Sequence, residues 1–438
     1  MARAMKDSGV AWIGEIPQEW EITRGKNLFR ISKRVVGNQS DHFTLLSLTK
    51  QGLIKRDMEN PQGKFPAEFD SYQVVKPGNF VFCLFDVEET PRTVELSTLH
   101  GMITGAYTVM ECLRPQSSKY LYYQFLSFDD DKKLRPLYTG MRNTIPKEVF
   151  MGIRIAFPPL PEQIAIADYL DRQTVLIDQR LDTLAEKKTV LAELRKAIIH
   201  EAVTKGLNKT SPMKNSGVAW VGEIPQEWEL MTFKSVVKFR EGPGIMASDF
   251  KDTGVPLLRI GNITQGLVTL EGCNYLDPEK VQRQWRQFKV RLGELIISAS
   301  ASVGIVSEVS LEAVGAIPYT GLITLRPSSH VFKNYLRYFV ISQLFVDQIA
   351  DFQKGATIQH YGPTHLKQML IPLPPIDEQK AIADYLDRQT AQIDAQIATL
   401  DEQMQVLKEL RKSIIHEAVT GKIALSSYTP PTPEALIA

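Results

Sequence analysis

Two short loops carry the side chains best suited to bind a polymer of phosphates and bases. Tyr138-Thr139-Gly140-Met141-Arg142-Asn143-Thr144 and Gln353-Lys354-Gly355-Ala356-Thr357-Ile358-Gln359-His360-Tyr361 each lie shortly before a Pro-rich segment. Glycine lets a backbone approach a ligand, Arg and Lys reach phosphates or guanine, and Asn or Gln can make paired hydrogen bonds to adenine in the major groove. A solvated loop is the plain alternative for either one alone. Their matched places with different letters favour nucleic-acid contact through Arg142, Asn143, Lys354, Thr357, Gln359 and His360. Thr49, Lys50, Gln51, Arg259, Asn262 and Gln265 form a second rank of candidates, also by loop position.

Catalytic constellations are missing. There is no GxxxxGK[ST] phosphate loop, no GxGxxG after a strand, no HExxH and no Cys/His cluster with metal-ligand spacing. An amino-methyltransferase tetrad of the Asn-Pro-Pro-Tyr kind is also lacking, because Phe157-Pro158-Pro159-Leu160 and Leu373-Pro374-Pro375-Ile376 have apolar ends. His200 and His416 fall at equivalent helix ends beside Glu201 and Glu417, which suits packing better than acid-base work; His360 and His365 flank Tyr361. Cys83, Cys112 and Cys273 sit among apolar neighbours, as buried thiols in a reducing compartment would. The chain reads as a binder, with no metal or cofactor of its own.

The bulk numbers leave that reading open. At 438 residues, 43% hydrophobic and 23% charged, the length and composition suit two to four globular domains. The net charge of +1 would not by itself suggest DNA, so any hold on phosphates needs local patches or partners. The first residues lack a signal-peptide core, and the longest uncharged stretch, Leu295 to Ser307, is too short and Ser-rich to span a bilayer, so a cytoplasmic protein without membrane contact is expected.

The elements that must position those loops come from a repeat. Met5-Lys6-Asp7-Ser8-Gly9-Val10-Ala11-Trp12, with Pro17 and Trp20, returns 208 positions later from Met213 to Trp228. The run from Glu162-Gln163 to His200-Glu201-Ala202-Val203-Thr204 returns 216 positions later, ending at Thr420. Between these echoes lie two divergent bodies of mixed strand and helix. Val75 to Phe82 aligns with Val290 to Ile297, and Leu113-Arg114-Pro115 with Leu325-Arg326-Pro327, so one fold serves both. Phe43 to Leu48, Phe80 to Phe85, Val255 to Ile260 and Glu294 to Ile297 read as short strands, and Tyr120 to Phe128 and Tyr335 to Phe345 as aromatic amphipathic stretches.

Each body ends in prolines that start a helix. Leu170, Ile177, Leu184, Leu191 and Ile198 fall at strict sevens, as do Leu386, Ile393, Leu400, Leu407 and Ile414, which is a coiled-coil signature. Leu181, Leu194, Ile397, Met404 and Leu410 supply much of the other seam position, with Lys188 breaking it once. Roughly forty residues at 1.5 Å each make a rod of about 60 Å. The two rods can pack on each other in the same chain.

The Ile-Pro-x-x-Trp opening, the Gly-Arg or Gly-x-Thr loop, then Pro-Pro-Leu-Pro-Glu-Gln-Ile-Ala-Ile-Ala-Asp-Tyr-Leu-Asp and a long helix, all twice, resemble the specificity subunit of type I restriction-modification systems. The resemblance runs from Gly14 to about Lys422. It departs in one place, since Gly140-Met141-Arg142 has no Gly-x-Thr like Gly355-Ala356-Thr357. It implies an α+β chain with two similar target recognition domains, separated by two long antiparallel coiled-coil helices in a pseudo-twofold internal repeat. The expected boundaries are recognition domains at 1–158 and 213–374, helices at 159–204 and 375–422, a linker at 205–212 and a flexible tail at 423–438. It further implies that each domain reads half of a split site in double-stranded DNA. Partners would be two methyltransferase subunits and restriction subunits, which hold the S-adenosylmethionine, ATP and Mg. The rival readings are a coiled-coil scaffold displaying two protein-binding domains and a self-contained methyltransferase.

Overall fold

The computed structural model describes residues 3–57, 68–218, 220–299, 305–353 and 361–425. The expected tail lies outside the described residues from 426 onward. The chain forms two compact units, one made of Met1–Leu184 with Asp401–Ala438, the other of Ala185–Leu400. Both boundaries fall inside the long helices, Leu160–Lys205 and Ile376–Val419. Each unit therefore holds a body, the start of one long helix and the end of the other.

In the first unit the body is built on an antiparallel sheet in the order Phe29–Ile31, Thr108–Cys112, Asn79–Phe82, Val94–Leu96. Its strands are short and flanked by turns, and their apolar side chains meet helix Ser118–Asp130. Phe29, Phe80, Phe82, Phe125 and Phe150 form the centre of that core in edge-to-face and offset contacts with ring centres 4.7 to 6.1 Å apart, geometries that aromatic quadrupoles favour. A hairpin, Leu46–Thr49 with Gly52–Lys55, and the pair Gln73–Val75 with Gly101–Ile103 extend the body.

The second unit repeats the plan with additions. Its main sheet runs Val237–Glu241, Leu322–Pro327, Leu295–Ser298, Val306–Glu308, Gly266–Leu267. Leu295–Ser298 thus takes the central place that Asn79–Phe82 holds in the first unit, as the aligned sequences lead one to expect. A second sheet of four strands, Phe250–Lys251, Asn274–Leu276, Val255–Leu258 and Ile317–Pro318, encloses its own core around Leu257, Leu276, Val281 and Trp285. The aromatic stretch becomes two helices, Lys333–Ile341 and Gln343–Gln353.

The opening segments are strands. Met5–Asp7 pairs with Glu15–Pro17, and Met213–Asn215 with Glu223–Pro225, in the same register. Next to them Glu21–Arg24 pairs with Arg154–Phe157, and Glu229–Thr232 with Leu370–Leu373. The strand before each long helix is thereby tied to the segment that opens its body.

Within each unit the helix segments run antiparallel. In the second unit Arg195 pairs with Asp394 at 2.9 Å, while Ala202 and Val203 share a core with Ile382, Ala383 and Leu386. In the first, Arg411 pairs with Asp178 at 3.0 Å, and Ile166 and Leu170 share a core with Ile415, Ala418 and Val419. Leu170, Ile177, Leu184, Leu386 and Ile393 are buried, and Leu191, Ile198, Leu400, Leu407 and Ile414 are half-buried. The other seam position corrects the expectation in one respect. Leu194 and Leu410 point outward, at 45% and 44% exposed, and Arg195 and Arg411 occupy the seam. An arginine can lay its aliphatic stem along the seam and carry its charge to an aspartate on the facing helix.

Candidate nucleic-acid interface

The joint between body and helix uses the same tryptophan, glutamate, tyrosine and aspartate bonds in both copies, and in the first copy Arg3 adds an ion pair to Glu162. Trp20 and Trp228 are fully buried, and their indole Nε1 atoms donate to Glu162 Oε2 at 3.0 Å and Glu378 Oε2 at 2.9 Å. Glycines with left-handed backbone, Gly421 and Gly206, turn the chain after each helix against these rings, where a Cβ would stand 3.0 and 3.1 Å from the indole. Tyr120 and Tyr335 donate to Ala156 O at 2.9 Å and Pro372 O at 2.7 Å, and burial pushes both phenols well above their ordinary value. Tyr123 donates to Asp171 Oδ1 at 2.8 Å and Tyr338 to Asp387 Oδ1 at 2.7 Å. Each body is thus fixed to the helix that follows it by the same charged, hydrogen-bonded anchor, which leaves the far faces free to differ.

Arg142 and Asn143 stand on such a face. The turn that bears them is closed by Thr139 and Thr144, whose backbones exchange hydrogen bonds of 2.8 and 3.0 Å, with Gly140 and Asn143 in left-handed conformation. Both side chains are already engaged. Arg142 Nε donates to Asp86 Oδ1 at 3.0 Å with its guanidinium 5.3 Å from the Phe85 ring centre, and Asn143 Nδ2 donates to Glu89 Oε1 at 3.0 Å. The hydrogen bond from Arg142 holds the Asp86 carboxyl below the usual carboxylate range. These surface pairs cost little to exchange, so a phosphate can compete for the arginine.

Lys354, Thr357, Gln359 and His360 lie outside the described residues. The residue after them, Tyr361, is buried and donates its hydroxyl to Ser298 O at 2.5 Å, pinning the end of that loop to the central strand. Lys50 and Gln51 are exposed at the tip of the hairpin, and Thr49 caps it by donating to Gly52 O at 3.0 Å. Arg259 is exposed, with its guanidinium 6.0 Å from the Phe250 ring centre and Nη1 donating to Asn274 Oδ1 at 3.3 Å. Asn262 departs from the expectation. It is buried, accepts from Arg259 N at 2.8 Å and donates to Glu271 O at 2.9 Å, so its amide builds the turn. Gln265 is exposed and lines a cleft of about 330 Å³ with Arg195, Arg337, Tyr338, Asp387 and Asp394.

The candidates taken from the sequence overlook two features. One is the stretch Lys280–Arg291, with five cations and no carboxylate in twelve residues. That density alone could have flagged it. The other is a pair of exposed apolar side chains one turn apart on each long helix, Val190 with Leu194 and Val406 with Leu410, at equivalent places in the repeat. Among the described residues no group of His, Cys, Asp and Glu could hold a metal, and no helix is long and apolar enough to cross a membrane.

Comparison with known proteins fits this geometry. Residues 225–403 match the type I restriction modification DNA specificity domain. The type I restriction enzyme MjaVIII specificity subunit of Methanocaldococcus jannaschii is 26% identical over 314 residues, covering 70% of this chain and 71% of the relative. The type I restriction enzyme EcoKI specificity subunit of Escherichia coli is 27% identical over 211 residues, covering 46% of this chain and 44% of the relative. A chain solved in work on complex assembly and conformational transition of the type I R-M system superposes with a TM-score of 0.70 at 17% identity, over 93% of this chain and 99% of that one. That likeness speaks for the fold.

Proposed function

We propose that the chain is a specificity subunit of the type I restriction-modification kind, which reads a bipartite DNA target and seats catalytic partners on it. Residues 1–158 and 213–374 are the two target recognition domains, each reading one half-site. The observation that carries this reading is the duplicated joint: the same Trp–Glu and Tyr–Asp bonds fix two bodies of different surface to two like helices. A device of that kind presents equal faces to two copies of one partner and unequal faces to the ligand.

The partner copies are adenine-N6 methyltransferase subunits, joined by ATP-driven restriction subunits. The chemistry of S-adenosylmethionine, ATP and Mg belongs to them, and this chain contributes position. The equivalent exposed pairs Val190–Leu194 and Val406–Leu410 support two like docking places, because apolar side chains gain by being covered. Half-sites about one helical turn apart, near 34 Å, are what two similar domains on a helical spacer would address.

The test is fluorescence anisotropy of the chain assembled with its methyltransferase subunits, on duplexes carrying adenine-methylated sites mapped from a host genome. Tight binding to one bipartite duplex over scrambled duplex is expected. Equal binding to both would overturn the reading and favour a protein-binding scaffold. Calorimetric binding of S-adenosylmethionine to the lone chain would instead mark a methyltransferase.

A further inference from the structure

The stretch from Pro278 to Arg291 is held from beneath and basic above. Asp277 caps its first turn by accepting from Lys280 N at 2.7 Å. A π-turn, Val281–Trp285, follows, and its widened spacing drops both terminal side chains into the core formed with Ile245, Leu257, Leu276 and Ile317. Lys280 is fixed by an ion pair with Asp249 and lies 5.2 Å from the Trp285 ring centre. At the other end Arg240 Nη1 donates to Gln287 O at 2.6 Å, and its guanidinium lies 5.5 Å from the Phe288 ring centre. The backbone is therefore anchored by two buried side chains and two cations.

Outward from this anchored backbone stand Gln282, Arg283, Gln284, Arg286 and Gln287, all exposed. Neither Arg283 nor Arg286 has a carboxylate partner among the described residues. In the first body, by contrast, the exposed Arg135 and Arg142 are paired with Glu88 and Asp86. A run of solvated arginines is common and by itself would say little. Here the run from Lys280 to Arg291 is anchored from beneath, lacks any acid, interleaves glutamines, and belongs to a chain whose net charge is only +1. Holding guanidinium and amide groups on a fixed backbone removes the ordering cost that a flexible basic loop would meet on binding DNA.

We infer that Arg283 and Arg286 clamp backbone phosphates of the half-site read by the second body, and that Gln282, Gln284 and Gln287 face base edges beside them. This rests on the DNA-reading function proposed above and assigns it to residues. Phosphate contacts set affinity and its salt dependence, whereas glutamine pairs bidentately with adenine.

The test compares the full assembly containing wild-type chain with one carrying Arg283→Ala and Arg286→Ala, by anisotropy on the mapped duplex across a salt series. The double variant should bind roughly tenfold or more weakly, and the slope of log affinity against log salt should shrink by about 2. Arg283→Lys with Arg286→Lys, which keeps the charge, should retain most of that slope and also serves as the check on folding. Gln284→Ala should relax preference at the second half-site and leave the first unchanged. If the wild-type assembly discriminates its duplex but the double alanine variant matches it in affinity and slope, this inference fails while the DNA-reading function stands. If the wild-type assembly shows no preference, the function itself fails.

Discussion

Gln163 and Gln379 occupy the same place in the two copies of the repeat and live differently. Gln379 is fully engaged, donating to His330 O and Pro374 O at 2.9 Å each and accepting from Phe332 N at 2.7 Å. Gln163 donates to Pro158 O at 2.7 Å, but its Oε1 is buried with no partner among the described residues. The cause is the body above it. Seven residues separate Pro327 from Tyr335, and the longer loop supplies the N–H; only four separate Pro115 from Tyr120. The same side chain is thus fully bonded under one body and partly unused under the other.

The largest effects should leave the copies equal. Trp20→Ala and Trp228→Ala each empty a fully buried indole site, and each should lower stability by about 3–5 kcal/mol in denaturant unfolding. A loss confined to one copy would break the equivalence of the joints. At the glutamines the copies should part. Gln379→Met leaves one N–H and two carbonyls unpaired and should cost about 1–3 kcal/mol, while Gln163→Met should cost clearly less because it also removes an unmet acceptor. Equal losses would refute the reading of the two loops.

Acid should act on both copies. Burial, foremost, pushes both His200 and His416 below the ordinary imidazole value; Asp347 opposes this and Lys205 reinforces it at His200, while Lys133 and Lys422 reinforce it and Asp131 and Glu417 oppose it at His416. A histidine kept neutral in the folded state contributes fully above its unfolded value, about 6.5, and loses that contribution as pH falls through its lowered folded value. Denaturation midpoints should therefore drop as pH falls below about 6.5, and His416→Gln and His200→Gln should each flatten the profile. The smallest effect concerns the seam. Double-mutant cycles on Arg195–Asp394 and Arg411–Asp178 should each give about 0.2–1 kcal/mol, alike in both and shrinking with salt.

What the sequence reveals follows from what is repeated in it. The heptads and the two frames are legible because a period of seven and a copied segment need no knowledge of long-range pairing. The opening segments were harder to read, since three-residue strands such as Glu15–Pro17 have too few positions to show alternation. At Leu194 and Leu410 the leucine lies one residue off the register of the seam. Counting by sevens from Thr174 and Leu181 arrives at Arg195, whose charge conceals a role its stem can fill. In the bodies, nothing local told that Asp86 and Glu89 would meet Arg142 and Asn143, more than fifty residues away, or that Asn262 would turn inward. The basic stretch at 280–291 is visible as composition; the core beneath it is not.

The split of each long helix between units has a consequence for the order in which the protein can mature. Residues 185–400 form one unit from a continuous length of chain, complete as soon as it has left the ribosome. The other unit opens the chain yet stays unfinished until residues beyond 401 arrive: Tyr120 is 299 positions from Val419, whose carbonyl it approaches at 3.4 Å. Until then Trp20, Leu170 and Phe125 lack the helix end that shares their core. Synthesis therefore closes the second unit first, and the first body is the one that waits, with apolar surface open, until the end of the second long helix has been made.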